Sequence, residues 1–563
     1  MKKKSVNARL ILLGIFIVYI VLYYVWLTQR GMFDFFVNTH VHSTESLDLY
    51  KYISQNPTFL NVVKIFSADS YWPRLHYLFT LLFINLFGNT YISMGMVNML
   101  YLLIAIYAMY GLTSQLTQNK WCGIISALIV ISYPGIIFFL KAYELQIGVV
   151  AFTTLAVYFL VVSDYYMKVK YCILFSVSFC CAMYMDRFSP LFFMIGPFFY
   201  VFISMIKMHR AKKRIGKGIV NWFISCLLII LILSPFYFPW IKINVLDADN
   251  FKGMMSFSGE WENIMQEYFD GTGMDALKRL FFYVILLPHY YLGILWTILF
   301  LIGLVLYLTC VQRGKGLLLS WLITPYIIFT LLPKKDGSYL IASLPSIAVI
   351  TSIGIFSLKK KISYVMITIT VICAILIYGG CMFYNYRTVN MFFIKTSFDS
   401  IASIRPIEYE DDDRQSQSRL NKWLLELMHH MPMSTSYSVG IINDDTYIHD
   451  DELPYKISIF LSLYNPLCKT FLSTWIHTIE YFVPCNSDYL IFISDTSSNN
   501  QLEDAIYEWL HTSGVVRYRN ERPSVNIKEA DIDFSRYMPV LKKKYPYSSL
   551  VVSIFKRKTN ANI

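Results

Sequence analysis

Charged residues are scarce in this sequence. Only 15% of its 563 residues are Asp, Glu, Lys or Arg, whereas 56% are hydrophobic, and the mean hydropathy is +0.47. This balance excludes an ordinary soluble enzyme and indicates a polytopic membrane protein. The formal net charge of +12 does not indicate nucleic-acid binding, because most of the excess lies in short loops between apolar runs, where the positive-inside bias places it.

Familiar catalytic motifs are missing from the polar C-terminal part. It has no Gly-rich phosphate loop, and no residues with the spacing of a nucleophile or metal site. The apolar run behind the basic start MKKK lacks a small-residue cleavage site. We therefore expect an uncleaved first span rather than a removed signal peptide.

Eleven apolar runs are long enough to cross a bilayer. They cover residues 9–28, 91–112, 121–140, 145–163, 170–186, 188–206, 219–239, 289–310, 317–333, 338–357 and 362–383. A further run at 75–87 is shorter, and its length is typical of an interfacial helix. The loop 207–217, with six Lys or Arg, should be cytoplasmic, as should the N-terminus. Only an even number of intervening spans satisfies both, and the six longer runs before residue 207 already give one, so 75–87 is not counted.

The sequence thus predicts a polytopic α-helical membrane protein with a small C-terminal α/β domain. The membrane domain covers 1–383, with long external loops at 29–90 and 240–288. A linker at 384–420 leads to an extracytoplasmic domain at 421–563. In that domain, strand-like and helix-like patterns alternate, at 435–443, 487–495, 501–511 and 548–558.

Ionisable side chains collect at the predicted external ends of the spans, where they are costly unless function or helix pairing requires them. With two tyrosines, they are Glu45, Asp48, Asp69, Arg74, His76, Lys141, Tyr143, Glu144, Asp186, Arg187, Lys334, Lys335 and Tyr339. Lys334 and Lys335 break the positive-inside preference. Cations on an apolar rim suit a lipid-linked phosphate, and a carboxylate suits a general base that deprotonates an acceptor hydroxyl.

This combination favours transfer of a sugar from a polyprenyl phosphate, and two other functions stay as alternatives. A transporter or flippase of lipid-linked sugars predicts charges buried at mid-membrane and inverted repeats, and the sequence has neither. A polysaccharide polymerase or ligase would need a large external loop late in the span order. Here the large loops are 29–90 and 240–288.

Residues 8–360 contain a series of motifs in a characteristic order. They include YWPRLHYLFTLLFINLFGN, MYMDRFSPLFF, FPWIKI and LLPKKDGSYLIASLPSIAVI. This order resembles the GT-C glycosyltransferases of the family 39 group, which includes protein mannosyltransferases and lipid A aminoarabinose transferases. The resemblance implies a donor sugar on a polyprenyl phosphate, an inverting transfer on the external face, and an external position for the helix at 75–87.

The resemblance also implies a catalytic base. Asp48 matches the family's catalytic Asp that is followed four residues later by Tyr, here Tyr52. The adjacent Asp-Glu pair often found in the family is absent, so Glu45 stays open as an alternative base.

Five residues are implied as ligands of the donor phosphate. Arg74 lies where the family commonly has Pro-Pro-Leu, and Arg187 takes the place of a frequent Lys. Lys334 or Lys335, together with Tyr339, would contact the phosphate. The sugar and the acceptor (a lipid, glycan or protein) are not determined by the sequence.

Four residues are candidates for acceptor or metal contacts, namely Asp69, Lys141, Tyr143 and Glu144. Resembling oligosaccharyltransferases use a divalent ion, whereas most family 39 relatives indicate no obligatory metal, so a metal stays open and no other cofactor is expected. We expect the chain to lie among the lipids of a bacterial plasma membrane, with a cytoplasmic N-terminus and a periplasmic or extracellular C-terminal domain.

Overall fold

The computed structural model describes most of the helical part of the chain and selected segments of its C-terminal part. The described residues are 8–30, 39–55, 58, 73–88, 90–164, 166–187, 189–210, 216–241, 281–284, 286–310, 314–331, 338–383, 419–420, 422–424, 426–427, 430–432, 438–443, 457, 461, 469–473, 488–495, 537–544 and 550–558. The candidate residues Asp69, Lys334 and Lys335, the predicted linker and the helix-like run at 501–511 lie outside them.

The chain divides into two compact units. The first comprises Met1–Thr28, Asn56–Gly88 and Ile92–Asp411, and the second Gln29–Gln55, Asn89–Tyr91 and Asp412–Ile563. The helices are, in chain order, α1 (Ala8–Arg30), α2 (Thr39–Gln55), α3 (Leu75–Phe87), α4 (Tyr91–Thr117), α5 (Lys120–Ile131), α6 (Pro134–Lys141), α7 (Gln146–Val162), α8 (Val169–Met183), α9 (Ser189–Arg210), α10 (Gly216–Ile241), α11 (Gly293–Thr309), α12 (Lys315–Leu331), α13 (Leu344–Phe356) and α14 (Lys360–Phe383). A π-turn, Leu287–Tyr291, precedes α11, and a 3-10 turn, Ile341–Ser343, precedes α13.

The apolar runs of the sequence coincide with these helices. Within the described residues, α1, α4, α9, α10 and α14 are each long and apolar enough to cross a membrane, and α5 with α6 makes a sixth if the bent pair is one span. The remaining predicted runs correspond to shorter apolar helices, which are α7, α8, α11, α12 and the segment that ends in α13. The 75–87 run forms the separate 13-residue helix α3.

The run predicted as one span at 121–140 is broken. Its two halves, α5 and α6, meet at an angle of 60°. Tyr133 has extended backbone angles, and Pro134 opens α6. A proline lacks an N–H donor and disfavours helical geometry in the residue before it, so the break falls where the sequence has Tyr133-Pro134.

Two glycines let α11 and α13 approach closely. A Cβ atom on Gly354 would lie 2.2 Å from the Gly303 carbonyl oxygen, and a Cβ atom on Gly303 would lie 2.7 Å from the Thr351 Cα. Both neighbours are backbone atoms, which cannot turn away as a side chain can. Small residues at such crossings allow helix backbones to pack in a membrane, where the hydrophobic effect between helices is absent.

We therefore expect Gly354→Ala to destabilise the protein by about 1–3 kcal/mol, the usual cost of overpacking. The matched control is Gly379→Ala in α14, where an added Cβ has no atom within 4 Å. Thermal unfolding of both variants in detergent tests this expectation. Equal midpoints for the two variants would contradict the close crossing.

The second unit contains a mixed five-stranded sheet in the order β2-β1-β3-β5-β4. The strands are β1 (Ser438–Asn443), β2 (Lys469–Ser473), β3 (Tyr489–Asp495), β4 (Tyr537–Lys544) and β5 (Leu550–Arg557). β1 pairs in parallel with β2 and β3, whereas β5 pairs antiparallel with β3 and β4. Val439, Ile491 and Ile554 are fully buried at its centre.

Three of the five strands were expected from the sequence. β1, β3 and β5 confirm the predicted strand-like runs, while β2 and β4 were not predicted. β4 forms one edge of the sheet, with Pro539 in the strand, a register shift between Pro539 and Leu541, and three lysines at its end. Proline, bulges and lysines are typical of edge strands, and they also weaken the strand pattern in the sequence.

Candidate active site

The start of α3 meets two other helix ends within the first unit. The Leu75 backbone N–H donates to the Tyr184 carbonyl at the end of α8, at 3.3 Å. The His76 ring lies 4.6 Å from the ring of Tyr143, in the segment between α6 and α7. Arg74 precedes Leu75, and Arg187 follows Tyr184 by three residues, so this contact brings two predicted phosphate ligands onto neighbouring backbone segments.

Arg74 is half-buried at the N-terminal end of α3. Its carbonyl accepts a hydrogen bond from the Leu78 N–H at 3.1 Å. Its side-chain Nε is enclosed and has no hydrogen-bond partner among the residues that the structure describes. A buried cationic donor without an acceptor is costly. An anion bound here would accept the hydrogen bond that the Arg74 Nε lacks among the described residues.

Arg187 lies between two hydrogen-bonded turns. The Asp186 carboxylate accepts from the Arg187 backbone N–H at 2.8 Å and from the Ser189 hydroxyl at the start of α9. The Tyr237 hydroxyl of α10 is shared between the carbonyls of Met183, at 2.9 Å, and Arg187. The backbone that carries the Arg187 side chain is therefore fixed from both sides.

Tyr339 packs against the end of α12, which in turn packs against the start of α9. Its ring lies 5.1 Å from Phe329 in α12, and Phe329 contacts Phe192 and Phe193 of α9 at 5.5 and 5.7 Å. Because α9 begins at Ser189, Tyr339 lies toward the end of the unit where Arg187 is found.

The residues from the end of α6 at Lys141 towards α7 are buried within the first unit. Lys141, Tyr143 and Glu144 are 5%, 0% and 1% exposed. The Lys141 ammonium lies 5.5 Å from the centre of the Trp26 ring of α1, a distance suited to a cation–π contact. The three candidate acceptor contacts thus form a buried polar segment in the first unit.

Asn98 holds this segment in place, and sequence reasoning missed it. Its side-chain amide donates to the carbonyls of Leu140 and Ala142 at 2.9 and 2.8 Å, which flank Lys141. Those carbonyls lie where α6 ends and helical bonding stops. A side-chain amide within an otherwise apolar run costs free energy in a membrane unless it is hydrogen-bonded. The presence of Asn98 in such a run was the signal in the sequence that could have identified it.

Thr80 and Tyr101 were also missed as members of the site, and His76 was recognised without a role. The His76 Nδ1 lies 3.1 Å from the Tyr101 hydroxyl, and the Thr80 and Tyr143 hydroxyls are hydrogen-bonded. The His76 side chain is 0% exposed, and the rings of Tyr77, Tyr101 and Tyr143 surround it.

The predicted bases lie on α2, in the second unit. Asp48 forms an ion pair with Lys51 at 3.8 Å, and 66% of its side-chain surface is exposed. The surrounding protein nevertheless removes part of the carboxylate's hydration and raises its pKa, an effect that the Lys51 ammonium partly offsets. Glu45 is half-buried one turn earlier. Within the described residues, no group of three or more His, Cys, Asp or Glu side chains is arranged to hold a metal.

We expect Asn98→Leu to destabilise the protein, because two buried carbonyls would each lose their donor, at about 1–3 kcal/mol apiece. Thr153→Val in α7 is the matched control. The Thr153 hydroxyl is buried and makes no hydrogen bond within the described part of the chain, so its loss should be neutral or stabilising. Thermal unfolding of the two variants should separate them, and a wild-type midpoint for Asn98→Leu would contradict the assigned role.

Comparison with known proteins identifies the fold. No protein-family model and no curated protein sequence matches the chain. The crystal structure of ArnT from Cupriavidus metallidurans bound to undecaprenyl phosphate is similar, with a TM-score of 0.57, 10% identity, and coverage of 96% of this chain and 97% of that one. Its apo structure also has a TM-score of 0.57, at 9% identity, with 97% and 98% covered. An oligosaccharyltransferase from Archaeoglobus fulgidus matches at a TM-score of 0.43, too low to bear on the fold. The chain is an integral membrane protein with the predicted GT-C fold.

Proposed function

We propose that this protein transfers a single sugar from a polyprenyl-phosphate donor to a hydroxyl acceptor on the external face of a bacterial plasma membrane. The observation that carries the proposal is the likeness along nearly the whole chain to ArnT, a glycosyltransferase crystallised with undecaprenyl phosphate. The acceptor would be a lipid, a glycan or a protein. In this orientation the N-terminus is cytoplasmic and the C-terminal domain external.

The donor phosphate would bind at the start of α3. The enclosed Arg74 Nε is a hydrogen-bond donor in need of an acceptor, and Arg187 lies on the neighbouring backbone segment. Tyr339, with Lys334 or Lys335 just before it in the chain, would complete the set. Guanidinium groups bind phosphate through charge-assisted hydrogen bonds, and they would stabilise the negative charge that grows on the departing phosphate.

A carboxylate of α2 would act as the base. Asp48 would take the proton of the acceptor hydroxyl while the acceptor oxygen attacks the anomeric carbon. The bond from that carbon to the phosphate oxygen breaks, and its electron pair leaves with the polyprenyl phosphate. Attack from the face opposite the phosphate inverts the anomeric centre. Glu45 is the alternative base.

The buried segment between α6 and α7 would face the acceptor. Lys141, Tyr143 and Glu144 supply a cation, a hydroxyl and a carboxylate within four consecutive residues, and Asp69 is the further candidate. These polar groups suit the hydroxyls of a sugar or lipid headgroup, or a divalent ion if the reaction uses one.

The first test is Asp48→Asn. We expect it to lower transfer by about 10²–10⁴-fold, the usual contribution of a general base, without loss of folded protein. Mass spectrometry of surface glycolipids and glycoproteins, in cells without the gene and in cells complemented with each variant, reports the missing sugar. Glu45→Gln is the matched control and should retain most activity. Near-normal transfer by Asp48→Asn, with loss in Glu45→Gln, would reassign the base.

The second test uses pH. Because its raised pKa keeps Asp48 protonated to higher pH, the acidic limb of kcat/KM should lie above the range of an ordinary aspartate. Lys51→Gln removes the ammonium that lowers this pKa, so the limb should move to higher pH still. Lys51→Arg keeps the charge and should leave the limb in place. A limb that does not respond to Lys51→Gln would show that another group titrates.

A further inference from the structure

We propose that His76 is a positioning residue that determines the orientation of the Arg74 side chain. It would do so by fixing the first turn of α3 against α4 and against the segment between α6 and α7. This inference rests on the proposed function, in which Arg74 binds the donor phosphate.

The contacts of His76 reach both neighbours. Its Nδ1 lies 3.1 Å from the Tyr101 hydroxyl of α4. Its ring lies 4.6 Å from the ring of Tyr143 and 5.7 Å from that of Tyr101. One turn further along α3, the Thr80 hydroxyl bonds the Tyr143 hydroxyl. Two successive turns of α3 are thus tied to the same tyrosine.

The chemistry of the side chain indicates more than packing. The other large side chains on the buried face of α3 are Tyr77, Leu81 and Ile84, and a further apolar residue would fill space without a hydrogen-bonding requirement. A buried imidazole is costly unless it is bonded. A hydrogen bond is directional, so the bond to Tyr101 restricts the rotation of α3 about its own axis in a way that apolar contact does not.

Rotation of α3 would move Arg74, which precedes His76 in the chain. Arg74 lies two residues earlier, and its carbonyl is bonded to the Leu78 N–H within the first turn of α3 at 3.1 Å. The Leu75 N–H joins this turn to Tyr184 at 3.3 Å. Any turn of the helix start would therefore carry the Arg74 guanidinium with it and would change its alignment with Arg187.

The experiment measures binding of undecaprenyl phosphate to the full-length protein in nanodiscs by native mass spectrometry, together with the thermal midpoint. His76→Phe keeps a ring and loses the bond to Tyr101, whereas His76→Asn keeps a polar group near the Nδ1 position. We expect His76→Phe to weaken binding about tenfold, roughly the size of one net hydrogen bond, and His76→Asn to restore it to within about threefold. The midpoint of His76→Phe should fall by less than that of Leu81→Ala, because an unpaired buried hydroxyl costs less than a core cavity, and that of His76→Asn should stay near the wild type.

Leu81→Ala is the packing control, because Leu81 is buried on the same face of α3 and has no polar group. It should lower the midpoint and leave the affinity of the folded protein unchanged. The inference is overturned if His76→Phe binds as the wild type does, or if both His76 variants lose binding and stability in step. If binding of undecaprenyl phosphate is lost in Arg74→Gln but not in His76→Phe, this inference alone is overturned. If the wild type does not bind, the proposed function fails and the inference falls with it. If Arg74→Gln binds normally, Arg74 is not a phosphate ligand and the inference alone is overturned.

Discussion

The two hydrogen bonds from the Asn98 amide to the carbonyls of Leu140 and Ala142 hold the segment around which the candidate site is arranged. Leu140 and Ala142 are buried, so water does not reach the carbonyls that leave the helix there and the protein must supply their partners. α6 ends at Lys141, and Asn98 provides the donors that its last turn lacks. With those carbonyls satisfied, the chain can carry Lys141, Tyr143 and Glu144 in the interior. Tyr143 then becomes available to His76 and Thr80 of α3, which places Arg74 beside the end of α8.

Helix contacts in the first unit use two different physical means. At the crossing of α11 and α13, glycine removes side chains so that backbone meets backbone, and the contact is apolar and close. At the end that carries the candidate site, side-chain hydrogen bonds and tilted ring contacts connect the elements. Hydrogen bonds fix orientation as well as distance, so they also set the rotation of each helix relative to its neighbours. The close crossing secures the scaffold, and the polar contacts secure the site.

Much of the fold could be predicted from the sequence, because span length and hydropathy are properties of consecutive residues. The apolar runs coincide with helices, and three strands of the sheet were recognised. The break in the 121–140 run was not predicted, since a proline can kink a span without dividing it. Asn98 and the contacts of His76 were missed for a related reason. Helical periodicity identifies a buried face but does not say which neighbour meets it, and a single polar residue in an apolar run is significant only when its partner is known. For Asp48 and Glu45, the choice of base likewise depends on a bound acceptor that the sequence does not describe.

The edge strand β4 affects how neighbouring copies of the protein interact in a crowded membrane. Copies of an integral membrane protein are confined to a plane, so the parts that lie outside the bilayer meet far more often than dilute soluble proteins do. An open sheet edge would invite strand exchange between such neighbours. Pro539 has no N–H donor, the irregularity after it interrupts the register, and Lys542 and Lys544 are exposed further along the strand. The lysines of two such edges would repel one another, and the edges could not form a continuous hydrogen-bonded ladder. β4 therefore disfavours sheet pairing between neighbouring molecules.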